Sequence, residues 1–384
     1  MSKLVAIRMQ VTIYLMYVVQ GFALIILAQT MSSFTSIWHT NLAGATAVVS
    51  AIGIGKLIAY PFLGELSDRW PRKTLLLLAM AAYGVFFTLV PVSTQIWQGI
   101  VLTSFAGIAN AMLDAVAYPT LLALHDGRSS GNGILPIIII NLNSHQLWFG
   151  WVFWVASAIL IIAFLALIGT QIPKVESHSA GAKAASHWQW DVVQFTFLAY
   201  GFTAMWLMIH FTQWVTRYFQ LVRGFDETSA HLLMTCYSIG SLIGVGLVFL
   251  LTGRRLLPEK WLLVVMNSMA LLSLIMLLVV NTNSIFLISV ATVMFGMSAA
   301  GGALQLGVGQ LIAHNPTFTG RATGWYFFSG SIAALLMPIV TGHFAEQHLA
   351  VVMQSLLIVA VINLILVVSH ALRVVNLSET EIGE

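Results

Sequence analysis

Apolar residues are laid along this chain in long unbroken runs separated by short polar breaks. The runs fall near residues 8–31, 44–64, 74–93, 97–123, 146–170, 192–215, 227–251, 260–281, 284–313, 322–344 and 348–372. A helix rises about 1.5 Å per residue and needs about 20 residues to cross about 30 Å of hydrocarbon, so each run is long enough to span a bilayer. The period-two alternation of a membrane barrel strand is absent. Inside hydrocarbon each backbone polar group must be satisfied within the protein, which leaves a bundle of helices: an all-α membrane protein.

Composition agrees. Of 384 residues, 59% are hydrophobic and only 8% charged, against roughly 25% charged in soluble domains. The opening stretch "MSKLVAIRMQVTIYLMYVVQGFALIILAQT" has the basic start of a signal peptide, but its apolar part is too long and it lacks an A-x-A site, so it reads as a retained first span. The single Cys236 forms no internal disulfide and belongs to no spacing-based metal site. The net charge of +3 comes from basic residues scattered singly between apolar runs, not from a stripe that would fit nucleic acid. No cofactor and no metal are expected.

Those scattered charges report orientation. With twelve crossings, Lys3, Arg8, Arg69, Arg72, Lys73, Arg128, Lys174, Lys183, Arg254, Arg255, Lys260, Arg321 and Arg373 all fall on one side. Only Arg217 and Arg223 fall on the other, and Lys56 lies in a span. Positive charge accumulates on the cytoplasmic side, which places both termini there. Eleven crossings would carry most of the later basic residues outside, so the chain must also cross, or re-enter, within "HDGRSSGNGILPIIIINLNSHQLW" (125–148).

The polar stretch "QIPKVESHSAGAKAASHWQWD" (171–191) divides the chain into halves. The expected organisation is an N-terminal bundle over 1–172, a cytoplasmic linker over 173–191, a C-terminal bundle over 192–373 and a tail over 374–384. The halves are weakly similar to each other: "FLGELSDRWPRKTLL" (62–76) lies against "FLLTGRRLLPEKWLL" (249–263), as a duplicated transporter requires. The same comparison measures residues 125–148. Arg321 precedes Pro338 by seventeen residues, but Arg128 precedes Pro136 by only eight. Helix 5 is therefore expected to be unusually short, by some two and a half turns, either as a natural crossing or because a segment is missing.

One motif resembles a known family. "GELSDRWPRK" (64–73) is similar to the signature G-x-L-[SA]-D-[RK]-x-G-R-[RK] of the major facilitator superfamily, in the loop between spans 2 and 3 where that family carries it. Gly64, Leu66, Ser67, Asp68, Arg69, Arg72 and Lys73 match, and Pro71 replaces the second Gly. The resemblance implies the family's fold: twelve transmembrane helices in two six-helix pseudo-repeat bundles, working by alternating access. It also implies that Gly64, Asp68, Arg69, Arg72 and Lys73 form a conformational-switch loop. Read from the residues, Gly64 is expected to end a helix and allow a tight turn. Asp68 is expected at a helix N-terminus or paired with Arg72. A merely topology-setting basic loop is the alternative. The span 4 Arg of many drug antiporters is absent, with Thr103 in its place before Gly107.

Two ionisable groups lie deep in spans, Lys56 in span 2 and Asp114 in span 4. Each costs roughly 2.5–3.5 kcal/mol at the bilayer centre on insertion scales. They lie at similar depth and can meet. Gly107, Asn110, Asp114 and Tyr118 share one face of span 4. A buried carboxyl that gives up its proton when a lysine approaches is what a proton-coupled carrier requires; the alternative is a static pair joining spans 2 and 4.

In span 7, Thr203, Trp206, His210 and Gln213 share a face, and His210 is a further proton-coupling candidate, although an intramembrane histidine can equally be satisfied by packing. The resemblance places spans 1, 4, 7 and 10 around the central cavity, which adds Tyr14, Tyr17, Gln20 and Gln305 as cavity candidates. Aromatics with a polar edge suit a sugar-like or aromatic solute, or serve as interfacial belts. Glycines in "AIGIGK" and "SIGSLIGVG", including Gly240 and Gly244 at G-x-x-x-G spacing, are expected to pack helices closely at the moving interface between the halves.

Enzymatic readings fare poorly. "GIGK" (53–56) lacks the first Gly and the Ser or Thr of a phosphate-binding loop. Only one buried carboxyl is available for an aspartyl protease, and "HFAEQH" (343–348) is no zinc motif. The expected function is secondary active transport, as proton-coupled symport of a small polar organic solute, a sugar or an organic acid. Drug/proton antiport is the alternative, and a non-transporting receptor or sensor is a minor one. The expected partners are the lipid bilayer, a small-molecule substrate and protons, with no nucleic acid, in a monomer. The expected location is a bacterial inner membrane.

Overall fold

A computed structural model describes residues 3–124, 150–168, 190–254, 256–280, 282–315 and 318–382. Every secondary-structure element among them is helical. The short crossing expected within 125–148 and the linker up to residue 189 lie outside the described residues. Contacts group the chain into two compact units, one of Met1–Ser186 with Pro338–His343, the other of His187–Met337 with Phe344–Glu384.

The first unit contains α1 (Lys3–Gln29), α2 (Met31–Ile37), α3 (Leu42–Arg69), α4 (Arg72–Leu89), α5 (Ile96–Leu124) and α6 (Gly150–Ile168). Apart from short α2, these are the helices the apolar runs predict. The turn between α2 and α3 holds His39 in a left-handed conformation, φ 48°, after which Asn41 Oδ1 accepts from the Gly44 amide at 3.0 Å and satisfies one of the orphan donors of α3.

Aromatic packing fills the middle of the unit. Phe153 of α6 meets Phe34 and Phe86 with ring centroids 5.9 Å apart in each case, and Phe87 at 6.3 Å. At one end, the indole of Trp38 stacks on Phe34 at 4.3 Å and donates to the Ser93 hydroxyl at 3.0 Å. The buried N–H thus has the partner that a desolvated donor requires.

The second unit contains α7 (Val192–Leu221), α8 (Glu227–Gly253), α9 (Glu259–Leu278), α10 (Ile285–Phe295), a π-helical segment (Gly296–Ala303), α11 (Leu304–His314) and most of α12 (Thr319–Ile382). Asp191 opens α7 with a capping box. Its side chain accepts from the Gln194 amide at 2.8 Å, and Gln194 Oε1 accepts from the Asp191 amide at 3.0 Å. Helices α10 and α11 form one long span interrupted by the π segment, and α12 is two helices meeting at His348 (φ −132°, ψ 42°). Large apolar side chains point outward in both units, among them Phe62 (70% exposed), Leu165 (64%) and Phe286 (71%). This is a surface made for lipid.

Among the described residues, nine helices are long and apolar enough to cross a membrane, one of them the broken α12, and Phe153–Leu167 is a shorter apolar helix. The count of twelve rests on a crossing outside the described residues.

Three local expectations are corrected. Gly64 does not end a helix. Helix α3 continues to Arg69, because Glu65–Arg69 offers no breaker, and the turn falls at Trp70 and Pro71. Asp68 accordingly lies in the last turn of α3, not at a helix N-terminus. The glycines, for their part, pack helices inside each unit. A Cβ on Gly240 would stand 2.1 Å from Val293 O and one on Gly244 2.1 Å from Met297 O, both on the span formed by α10 and the π segment. The close backbone approach is the one G-x-x-x-G spacing allows, made between α8 and its neighbour in the same unit.

Candidate functional site

Helices α3 and α5 approach each other through a similar small-residue crossing. A Cβ on Gly55 would fall 2.0 Å from Ser104 O, and one on Gly107 would fall 2.1 Å from Ile52 O and 2.9 Å from the Lys56 amide. Only glycine permits that approach. Lys56 follows Gly55 directly, and Asp114 lies two turns beyond Gly107, so the crossing brings both charged side chains into the interior of the first unit.

Lys56 is 3% exposed and Asp114 6%, and their charges interact. Tyr60, one turn beyond Lys56, donates to Asp114 Oδ2 at 2.8 Å. Gln20 of α1 also hydrogen-bonds Asp114, while its own Oε1 is buried with no hydrogen-bond partner among the described residues. One turn before Asp114, Asn110 Oδ1 accepts from the Tyr83 hydroxyl of α4, and Asn110 Nδ2 is buried with no partner among the described residues. Tyr17 lies close enough to Tyr60 to interact with it electrostatically.

Four helices therefore converge on one carboxylate and one ammonium. Such a cluster is costly to assemble in hydrocarbon and leaves little net stability, and Gln20 Oε1 and Asn110 Nδ2 remain as buried polar atoms that normally find a partner. Thr103, at the position of the arginine of many drug antiporters, is fully buried, and its hydroxyl is unpartnered among the described residues.

The other expected site residues are placed as follows. Thr203 donates to Asn363 Oδ1 of α12, and Trp206 lies against Phe202 with centroids 5.7 Å apart. His210 and Gln213 are buried on one face of α7, and none of their side-chain nitrogens or oxygens has a hydrogen-bond partner among the described residues; the Val352 backbone approaches His210 outside hydrogen-bonding geometry. Gln305 is exposed on α11, and Lys73 is half-buried at the start of α4. The side chains of Tyr14, Tyr118, Asp68, Arg69 and Arg72, and the surroundings of Gly64, lie outside those described. Lys56, Asp114, Asn110 and Gln20 thus come together in the first unit, whereas His210, Gln213, Thr203 and Trp206 belong to the second.

Tyr60 and Tyr83 join the cluster although the sequence reading passed them over. The signal for Tyr60 was its i+4 spacing from Lys56, which places both on one helix face.

A second polar group was also missed. His314 Nε2 stands 2.5 Å from Asp191 Oδ2, and Gln194 Nε2 donates to Asn315 Oδ1 at 2.7 Å, clasping the start of α7 to the end of α11. Burial works to raise the Asp191 carboxyl, but hydrogen bonds from the Gln194 backbone and from His314 outweigh it and hold the group below the ordinary carboxylate range.

The family model described as Major Facilitator Superfamily matches residues 13–338. Two Escherichia coli (strain K12) proteins are similar along nearly the whole length. Inner membrane transport protein YdiM is 30% identical over 382 residues, covering 94% of this chain and 93% of that protein. Inner membrane transport protein YdiN is 26% identical over 396 residues, covering 96% and 92%. The second alignment is longer than this 384-residue chain, so that relative has residues at positions where this chain has none. A crystal structure of the nucleoside transporter NupG superposes with a TM-score of 0.67 over 95% of this chain and 99% of that one at 13% identity, a likeness of fold. Apolar helices in two units, a buried charge cluster and a family match over most of the length converge: the chain belongs to the major facilitator superfamily and is a membrane transporter, not an enzyme.

Proposed function

We propose that the protein is a proton-coupled symporter, working by alternating access, for a small polar organic solute, a sugar or an organic acid. The observation that carries this reading is the placement of Asp114: a buried carboxylate hydrogen-bonded by Tyr60, facing the buried Lys56. A carboxylate with an ammonium partner can exchange that partner for a proton when the helices carrying them move, which links protonation to conformation. The static-pair alternative draws little support from energetics, since a buried ion pair is weak evidence for stability.

The motif loop complements this role. Gly64, Asp68, Arg69, Arg72 and Lys73 act as the conformational latch, with both termini on the cytoplasmic side of the inner membrane. His210 is assigned a secondary place, as a polar group of the second unit. Drug/proton antiport is disfavoured by Thr103 standing where those carriers have an arginine.

The test is uptake by proteoliposomes under an imposed inward proton gradient, across a broad panel of sugars, organic acids and cationic drugs. Proton-driven accumulation of a sugar or organic acid is expected. Efflux of drugs against the same gradient would favour antiport, and absence of flux across the whole panel would sink the carrier reading in favour of a receptor.

A further inference from the structure

The charge balance of the Lys56–Asp114 cluster bears on what the carrier moves. Among the described residues, the ionisable groups that act on Asp114 or feel its charge are Lys56 and Tyr60 on α3 and Tyr83 on α4, with Tyr17 of α1 beside Tyr60; α6 carries none. Tyrosine hydroxyls are neutral at physiological pH. Among the described residues the cluster therefore holds one positive and one negative charge, which sum to zero.

Adding a proton to the Asp114 carboxylate leaves Lys56 as a buried ammonium with no counter-charge in the cluster. An uncompensated buried charge is strongly disfavoured. A neutral solute such as a sugar does nothing to relieve it, whereas an anion does. The atoms around the pair that lack a partner among the described residues fit the same ligand. Asn110 Nδ2 is a buried donor one turn from Asp114, its Oδ1 fixed by Tyr83. With the Lys56 ammonium it offers two donor groups, the complement of a carboxylate. Gln20 Oε1 is a buried acceptor without a donor among the described residues, which suits a hydroxyl on the same solute.

Building on the symport reading, we infer that the transported solute is a small hydroxylated monocarboxylate anion, whose carboxylate replaces that of Asp114 against Lys56. The exchange balances. One proton adds to an Asp114 oxygen, one carboxylate pairs with the Lys56 ammonium, and the net charge of the cluster stays at zero before and after. Proton and anion therefore bind together or not at all, and the carrier moves one of each without moving charge.

The experiment uses purified full-length protein in liposomes carrying a lumenal pH dye and a voltage dye. Gluconate represents the membrane-impermeant hydroxylated monocarboxylates, compared with gluconamide and glucose. Gluconate uptake is expected to acidify the lumen by one proton per anion with no voltage change, while gluconamide and glucose stay outside. Proton-driven entry of glucose or gluconamide without gluconate would overturn the anion inference and leave proton symport standing; if none of the three moves, the inference fails, and only the broad panel decides the symport reading.

The double variant Lys56→Gln with Asp114→Asn removes both charges together and leaves neither unpaired. Provided it elutes as folded protein on size exclusion, it is expected to lose gluconate uptake by on the order of a hundredfold, and uptake at the wild-type rate would overturn the inference. Lys56→Arg keeps the positive charge and is expected to restore measurable uptake. Failure of the arginine variant to exceed Lys56→Gln would count against pairing with a cation.

Discussion

The hydroxyl of Tyr60 donates to Asp114 Oδ2 at 2.8 Å, from a position one helical turn beyond Lys56, so a single helix supplies both the counter-charge and the hydrogen bond of the buried carboxylate. Replacing Tyr60 by Phe keeps the ring and removes only that donor. A hydrogen bond to a charged group contributes about 1.5–3 kcal/mol. Tyr60→Phe is expected to lower the melting temperature of the purified transporter by several degrees. An unchanged melting temperature would mean that the hydroxyl does not hold the carboxylate.

The glycine crossing makes a sharper comparison. A methyl group at Gly107 would lie 2.1 Å from Ile52 O, whereas one at Gly21 meets nothing within 4 Å among the described residues. Forcing α3 and α5 apart costs about 1–3 kcal/mol or more and also displaces Lys56 from Asp114. Gly107→Ala is expected to reduce both folded yield and transport, while Gly21→Ala behaves as wild type. In the second unit the matching pair is Gly244→Ala, harmful, and Gly246→Ala, tolerated. Equal yields of the two variants within either pair would contradict this packing.

How much of this was legible in the chain differs from feature to feature. The helices could be read from run lengths alone, since hydrocarbon thickness sets them. The meeting of Lys56 and Asp114 followed from their similar depth. Tyr60 and Tyr83 were passed over because an aromatic in a span has two ordinary duties, packing and belt formation, and only the tertiary fold turns its hydroxyl toward a carboxylate. Gly64 misled because a lone glycine weakens a helix without ending it; the stop at Pro71 was the stronger signal. The π-helical stretch at Gly296–Ala303 could not be read from periodicity, which registers the mean turn and not one inserted residue. The Asp191–His314 contact joins residues far apart in sequence, with no pattern to link them.

That contact carries a pH dependence of known sign. Hydrogen bonds hold the Asp191 carboxyl below its ordinary range against the opposing pull of burial. A carboxyl lowered in the folded state stabilises the fold at neutral pH, and that contribution fades as pH falls through the lowered value, below about 4. The side chain is 45% exposed, so screening limits the ionic part to under about 1 kcal/mol. Asp191→Asn keeps a capping oxygen and is expected to melt slightly below wild type at pH 7, with the gap closing under strongly acidic conditions. Asp191→Ala also loses the cap, worth about 1 kcal/mol, and is expected to melt lower than Asp191→Asn at pH 7. A gap that widens on acidification would reverse the assigned sign.

The most direct measurement on the central claim compares two modes of transport in one variant. Asp114→Asn keeps the size and hydrogen-bonding capacity of the side chain but cannot exchange a proton. In proteoliposomes it is expected to retain solute exchange when the same solute is present on both sides, and to lose accumulation driven by an inward proton gradient. Accumulation by Asp114→Asn at the wild-type level would contradict the assignment of Asp114 as the group that couples the proton to transport.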